Sequence, residues 1–383
     1  MSAGFEIDAT AFEQELRSGA DVVVVDTRPA ADYAQWHLPD ARQPVVNVSE
    51  RELAEQPDRA RALLEGHDAL RVICASGSAS LRAVARLTEQ GVEALSVRGG
   101  MIGWSRVLQR GDVPVDGPYT IVQLRREARG CLSYVIAAGG EALVVDPAPD
   151  VRAYLEVVAQ LGARVVRVFD THIHADHLSG GRELAERTGA PLSLSVGAID
   201  RGLRFADKVL PVRDGDVISL GGNPVTVVAL PGHTTDMTGL LVGDVALVGG
   251  DSVFADSVAR PDLEAGDEGA DDAARQLHRT LAARVAPLRD DVVLLPCHYA
   301  SGRLDGALVA RLGDVRRAVP ELGLGETAFV ETVLSHMPPK PANFLTIIGV
   351  NLGEEELEAD AAARLEVGAN NCAAKAEWAD VPA

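Results

Sequence analysis

The sequence predicts an α/β chain of two domains followed by a short C-terminal extension, and three observations predict it. At 383 residues the chain is longer than one ordinary hydrophobic core organises. Its first segment alternates single strand signals with single helix signals. From Tyr119 onward the text changes to many short apolar strands separated by turns, with fewer helices.

Taken in order, DVVVVDTR reads as a buried strand, RALLEG as helical, LRVICASG as a second strand, and SLRAVARLTEQG as an amphipathic helix stopped by glycine. EALSVRGG is a further strand-like run that leads into MIGWSRVLQRGDVPV. The stretch GDVPVDGP supplies glycine, proline and aspartate without periodicity, which places the domain boundary there and gives domains at 1–115 and 116–320. In the second domain CLSYVIAAG, EALVVDP, ARVVRVFDTH, NPVTVVALPGH, DVALVGGDS and DVVLLPCHY read as strands, and DVRAYLEVVAQLG as a helix. Those proportions predict sheets covered by helices. Residues 321–383 are expected to pack on the second domain as an extension, helical at FVETVLSHM, proline-rich at PPKPANF and acidic at the end.

Composition excludes several function classes. Hydrophobic residues at 47% with 24% charged describe a globular chain, and no apolar run approaches the roughly 20 residues that span a bilayer. The N-terminal MSAGFEIDATAFEQE carries early acids and lacks the basic start and apolar stretch of a signal peptide, so a cytoplasmic location is expected. A formal charge of -20 argues against nucleic acid as a partner, because phosphate binding needs clustered cations. Cysteines at 74, 131, 297 and 372 show no close pair, so neither a disulfide framework nor a cysteine-rich zinc module is expected.

The chemistry concentrates at strand ends. After the strand ARVVRVF comes THIHADH, which brings His172, His174, Asp176 and His177 into one loop, followed by a helix opened by Ser179. His233 in LPGHTT, Asp251 in VGGDS and His298 in LPCHY also follow strands. Strand ends at one edge of a sheet form a pocket, so these residues can meet although more than a hundred positions separate them. Imidazoles and carboxylates suit zinc or iron, and a site with fewer protein ligands than the metal accepts leaves room for substrate. His37, His67, His278 and His336 match no ligand spacing and are expected to be structural or exposed.

The HxHxDH signature with its later His, Asp and His resembles the metallo-β-lactamase superfamily over about Pro118 to Arg303. The resemblance implies an αββα sandwich with metal at one edge of the sheets. Two branches share all seven residues: a one-iron persulfide dioxygenase type, and a two-metal glyoxalase II type that hydrolyses thiol esters. Arg260 in ARPDLEAGDEG, with Pro261 where the dioxygenases carry threonine, is similar to a dioxygenase segment. So is the tail FVETVLSHMPPKPANFLTIIGVNLG, with Pro339, Lys340, Pro341 and Asn351. Residue by residue, the likeness implies one Fe(II) per chain on His174, His233 and Asp251, with zinc as the alternative metal. His172, Asp176, His177 and His298 would then orient ligands or relay protons, and Asp176 and Arg260 would serve the reaction. One departure is that Tyr299 and Ala300 follow His298, where those dioxygenases carry Asp-Tyr. Cys297 is expected to be buried and structural.

The first domain resembles a rhodanese, a single-cysteine sulfurtransferase, over residues 5–112: DTRPAADYAQWHLPDA matches its early Asp-x-Arg and His-x-Pro segment, and VRGGMIGWSR its closing Gly-Gly-x-x-x-Trp. Cys74 opens the loop Cys74-Ala75-Ser76-Gly77-Ser78-Ala79-Ser80 between a strand and a helix. The helix amides favour a thiolate there, which accepts sulfane sulfur. Ala79 stands where that family often has arginine, which favours a neutral or thiol-borne sulfur donor over thiosulfate. Asp26, Arg28 and His37 are expected to be structural, Cys131 to be a packing residue and Cys372 a surface one. Together the two likenesses imply a sulfur enzyme whose partners are a low-molecular-weight thiol persulfide and oxygen, with homo-oligomerisation left open.

Overall fold

The structure, a computed structural model, describes residues 4–38, 43–299, 307–341, 343–366 and 373–374. The first domain is a parallel sheet of β1 (Glu6–Ile7), β2 (Val22–Asp26), β3 (Val45–Asn47), β4 (Ala69–Ile73) and β5 (Ala94–Val97), in the order β1-β5-β4-β2-β3. Its central strands are buried on both faces and read as largely apolar runs, as VVVV in β2 shows. One face packs on the helices Glu50–Glu55 and Ser78–Glu89 through Leu53, Val84 and Leu87; the other packs on Phe12, Leu16, Met101 and Trp104.

Two sheets face each other in the second domain. One contains β6 (Leu108–Val113), β7 (Thr120–Arg126), β8 (Cys131–Ala138), β9 (Glu141–Val145), β10 (Arg164–Phe169), β11 (Leu192–Ser195) and β12 (Val209–Val212), in the order β12-β11-β10-β9-β8-β7-β6. The other contains β13 (Val217–Leu220), β14 (Asn223–Ala229), β15 (Thr238–Val242), β16 (Ala246–Gly250), then β18 (Val293–Pro296) and β19 (Ala310–Arg311). Between them in sequence, β17 (Val258–Ala259) pairs with β20 (Ala373–Ala374) in a separate two-stranded sheet. Inward residues alternate along the strands, Ile121, Tyr134, Ile136, Leu143 and Phe169 meeting Val225, Val227, Leu240, Val248 and Leu295 in the central core. Helices cover both outer faces: Arg152–Gln160 and Gly181–Thr188 on one sheet, Asp262–Thr280 and Glu326–Ser335 on the other. The result is the expected αββα sandwich. The extension packs on it through Phe329, Val330 and Val333 on one side and Ile348 and Leu352 on the other.

The expected boundary at GDVPVDGP is corrected. Residues 108–113 pair antiparallel with β7 from Leu108↔Arg126 to Val113↔Ile121, so the first three residues of the presumed linker, Gly111–Val113, belong to an edge strand of the sandwich that begins at Leu108. Glycine and proline mark the turn after that strand, and turn signals alone do not tell a hairpin from a linker. The domains also share a core, since Ala128 at the β7–β8 turn packs with Trp104 and Met101 of the first domain. Arg17 bonds Glu127 at 2.6 Å and Arg126 Nε donates to the Ser105 carbonyl at 3.0 Å across the same junction.

Candidate metal centre

Strand β10 ends at Phe169 and the chain then runs without helix or strand to Gly180, almost wholly buried. This loop carries His172, His174, Asp176 and His177. β14 leads through Pro231 and Gly232 to His233; Gly232 has φ +143°, and a Cβ there would lie 2.5 Å from the Leu277 backbone, so glycine is required to bring His233 inward. β16 ends directly before Asp251 and β18 is followed by Cys297 and His298. Both sheets therefore bring these residues to one edge.

The seven residues do not form one cluster; they divide among three. In the first, His172, His233 and Asp251 have ligand atoms within 4.8 Å of one another. His233 Nε2 lies 3.5 Å and His172 Nε2 3.8 Å from Asp251 Oδ2. Among the described residues these three buried atoms have no hydrogen-bond partner. Orphaned buried polar atoms are rare, and three that face one another form a cation site by the chemistry of their donor set. The remaining atoms of each side chain are tied: His233 Nδ1 donates to the Arg260 carbonyl at 2.8 Å, His172 Nδ1 contacts Thr171 Oγ1 at 2.9 Å, and Asp251 Oδ1 faces His298 Nδ1 at 2.6 Å. Burial, reinforced by the neighbouring His174 and His233 rings, pushes His172 well below its ordinary value, so the imidazole is neutral and keeps a lone pair for a metal.

His174, expected in the ligand triad, is not in this cluster, and the geometry places His172 there instead. His174 Nε2 is 3.1 Å from Asp146 Oδ1 and groups with Asp146 and Asp170. Asp146, at φ +49°, also accepts from Thr171 N at 2.7 Å and from the Cys297 thiol at 2.9 Å, which gives Cys297 the structural role expected of it. Burial, against the pull of His174, pushes Asp170 up to about 6. A cleft of about 620 Å³ opens onto His172, His174 and Asp170 and is lined further out by Arg182, Phe205 and Asn351.

The third cluster joins Asp176, His177 and His298 to Cys131, which the sequence placed among packing residues. His298 lies between two carboxylates, Nδ1 on Asp251 and Nε2 on Asp176 at 2.8 Å. Burial opposes charge on both rings, but carboxylates outweigh it: Asp251 and Asp176 raise His298 well above its ordinary value, and Asp176 raises His177 to about 10. Asp176 is held well below the carboxylate range by the same two rings, against burial. Burial and Asp176 would raise the Cys131 thiol, yet hydrogen bonds to His177 and His298 override them and bring it to about 6.

Asp176 is thus engaged by His177 and His298, with Cys131 Sγ 3.5 Å from its Oδ2, and it orients its neighbours. Arg260 is also a supporting residue: its buried guanidinium grips Asp262 at 2.7 Å and the Pro339 carbonyl at 3.0 Å, while its own carbonyl holds His233. Lys340 of the Pro-Lys-Pro run bonds Asp267, so the extension seals this segment. Asp146, Asp170 and Cys131 were missed. Asp146 carried the same strand-end signal as Asp251, whereas Cys131 carried none. His37, His67, His278 and His336 lie outside all three clusters, and Ala300 and Cys372 lie outside the described residues.

In the first domain Cys74 is buried at the end of β4, its Sγ accepting from Gly77 N at 3.1 Å and from the Ser80 hydroxyl at 3.3 Å. The loop lies against Gly99 and Gly100; Gly100 has φ +57° and a Cβ on it would overlap the Cys74 carbonyl. Asp26 and Arg28 form a buried ion pair that also reaches the Trp36 carbonyl, a structural role as expected.

Comparison with known proteins agrees with both halves. Residues 8–107 match the rhodanese-like domain and residues 126–298 the metallo-beta-lactamase superfamily. The chain is a rhodanese-like domain fused to a metallo-β-lactamase domain. Human persulfide dioxygenase ETHE1, mitochondrial, is 27% identical over 260 residues, 67% of this chain and 92% of that protein. A hydroxyacylglutathione hydrolase of Acidiphilium cryptum is 37% identical over 123 residues, 32% of this chain; the chain spans about half, 49%, of that relative's length. The crystal structure of ETHE1 from Myxococcus xanthus superposes with a TM-score of 0.54 at 28% identity, covering 64% of this chain and 100% of that one. The metallo-β-lactamase domain of this fusion is of an enzyme fold, and its buried donor clusters imply a metal. No helix among the described residues is long and apolar enough to cross a membrane.

Proposed function

We propose that this fusion oxidises the outer sulfur of a low-molecular-weight thiol persulfide to sulfite at a single iron held by His172, His233 and Asp251. The overall change is R–S–SH + O2 + H2O giving R–SH, sulfite and two protons; the S–S bond breaks and oxygen is reduced. Iron in a two-histidine-one-carboxylate set supplies open positions for sulfur and oxygen. The chain's own residues prepare the place: Arg260 and Thr171 fix the two imidazoles, and His298 holds a proton between Asp251 and Asp176.

The observation that carries this reading is the disposition of His298. Both its ring nitrogens are engaged by carboxylates, so the donors of the third cluster are spent on one another, while among the described residues the first cluster keeps a free, convergent atom on each of its three side chains. One cation position fits that arrangement better than two. The dinuclear hydrolase of thiol esters is the second reading, favoured by the hydroxyacylglutathione hydrolase likeness. In the first domain Cys74 is assigned the transfer of sulfane sulfur to or from the same pool: its thiolate attacks R–S–SH, forming Cys–S–SH and releasing R–S⁻. The uncharged loop, with Ala75 and Ala79, suits a thiol-borne donor.

The test is metal analysis of anaerobically purified protein with oxygen uptake and sulfite release on glutathione persulfide. About one iron per chain with equal oxygen and sulfite is expected. Two firmly held zincs, hydrolysis of a hydroxyacylglutathione and no oxygen uptake would replace this reading by the hydrolase.

A further inference from the structure

The loop that carries the ligands has buried backbone and little regular structure of its own. Buried amides and carbonyls need partners, and here side chains supply them. Asn351 serves three at once: its Nδ2 donates to the carbonyls of His174 and His177, each at 2.9 Å, and its Oδ1 accepts from Ser179 N at 3.0 Å. Glu366 Oε1 accepts from Leu178 N at 3.0 Å. The Asp176 carbonyl accepts from Arg129, whose Nη1 also donates to the Glu366 carbonyl at 2.6 Å. Arg126 completes the arrangement, with Nη1 on Glu366 Oε1 at 2.8 Å and Nε on the Ser105 carbonyl of the first domain.

Asp146, Asp236 and Thr238 hold the start of the loop at Thr171 and Ile173; of the three side chains that hold residues 174–179, two come from the C-terminal extension and the third is held by it. Glu366 is buried at 4% exposure, a position a glutamate occupies only with firm partners. The extension reaches the other flank as well, because β20 pairs with β17 immediately before Arg260, whose carbonyl fixes His233.

We propose that Asn351 and Glu366 are positioning residues of the metal centre, so that the extension, clamped to both domains through Arg126, sets the geometry of the ligand loop. The inference rests on the metal reading above but not on which reaction the metal serves. It does not follow from the ligand residues, since Glu366 bonds Arg126, Arg129 and Leu178 instead.

The experiment uses the full chain with Asn351→Ala, Glu366→Ala and Glu366→Gln. Cobalt(II) affinity is measured by chelator competition, together with the cobalt visible spectrum. In the metal-free protein, amide hydrogen exchange is followed across residues 171–180. Supporting residues of metal ligands are worth 10–100-fold in affinity as a rule, so Asn351→Ala and Glu366→Ala should each lose roughly 10-fold or more and shift the cobalt bands. Exchange at Leu178 and Ser179 should accelerate in the variants while the β14–β16 amides stay protected. Glu366→Gln keeps an oxygen for Leu178 N and should rescue part of the affinity lost in the alanine variant; it also keeps the test open should that variant not fold. Affinity within threefold of the parent, an unchanged spectrum and unchanged exchange in Asn351→Ala and Glu366→Gln would overturn the proposal. Cobalt failing to bind the parent at all would sink the metal reading, and the exchange measurement would still decide this one.

Discussion

Replacing His172 and His174 separately by alanine distinguishes the ligand from its neighbour. His172→Ala removes one of three convergent free atoms and leaves only His233 Nε2 and Asp251 Oδ2 to face a cation. His174→Ala leaves that set intact. It takes one partner from Asp146, which keeps Thr171 N at 2.7 Å, Thr171 Oγ1 at 3.0 Å and the Cys297 thiol at 2.9 Å. The expected effect on metal affinity is therefore that of a supporting residue, about 10–100-fold or roughly 1.4–2.7 kcal/mol, against more than roughly 100-fold for His172→Ala. The metal-free proteins should behave in the opposite order. His174→Ala weakens a buried carboxylate's bonding and should cost about 1–3 kcal/mol of stability, whereas His172→Ala deletes a neutral ring whose Nε2 made no bond. Iron content after anaerobic purification, cobalt titration and melting of the metal-free proteins read these quantities. Full metal content in His172→Ala together with a metal-free His174→Ala would refute the assignment and restore the triad expected from the sequence.

Cys74→Ser should abolish sulfur transfer, followed as persulfide or thiocyanate formation, while oxygen uptake on free persulfide stays within about twofold, because the nucleophile belongs to the transfer site alone. Deleting residues 1–107 should behave differently: it strips the cover from Ala128 and removes the Arg17–Glu127 and Arg126–Ser105 bonds, so the remaining domain should melt measurably lower, and equal melting would show the domains to be independent. Gly100→Ala forces a left-handed position and an overlap with the Cys74 carbonyl, which should lower stability by about 1–3 kcal/mol and slow transfer with oxygen uptake preserved; unaltered transfer would count against the loop geometry. Burial would raise the Glu366 carboxyl, but Arg126 overrides it and holds the group below the ordinary glutamate value. Since the folded value lies below the unfolded one, the stabilisation is present above about pH 4.3 and is lost as pH falls through the folded value. The melting difference between parent and Glu366→Gln should thus be full at neutral pH and shrink in acid; a difference that grows in acid would be the wrong sign.

Periodicity and strand-end position made the layers and the ligand inventory legible. β2, β4, β14, β16 and β18 each announce themselves as apolar runs, and His233, Asp251 and His298 follow from standing directly after such runs. What periodicity cannot say is which way a side chain in an irregular loop turns. His172 and His174 are two residues apart, and only the partners across the pocket, Asp251 for one and Asp146 for the other, distinguish them. The linker reading of GDVPVDGP failed for a similar reason, since strand pairing is a property of two segments and Leu108–Val113 needs β7 to become a strand. Arg260 was legible as important, but its backbone rather than its guanidinium faces the site. Glu366 lies 240 positions from Arg126, and no local pattern links such residues.

The charges at the sheet edge explain why the centre calls for a cation. Asp176 lies between two rings that are held protonated, His177 and His298, and Asp146 faces His174 with a thiol and a backbone amide behind it. Asp251 shares the His298 proton through Oδ1, but its Oδ2 looks only at two imidazoles, of which His172 is neutral. A buried carboxylate oxygen facing lone pairs is an unfavourable arrangement that a divalent ion reverses, and whatever binds the folded chain alone adds its binding free energy to stability. The metal-free fold can carry that arrangement because the other carboxylates of the edge are well bonded. Asp146, Asp176 and Glu366 each have several donors, and the unfavourable term lies on His172 Nε2, His233 Nε2 and Asp251 Oδ2, with His174 Nδ1 and Asp170 Oδ1 beside them. Metal removal should therefore loosen the ligand loop before it unfolds the sandwich, whose central core of Tyr134, Phe169, Val227 and Leu295 is built without any of the ligands.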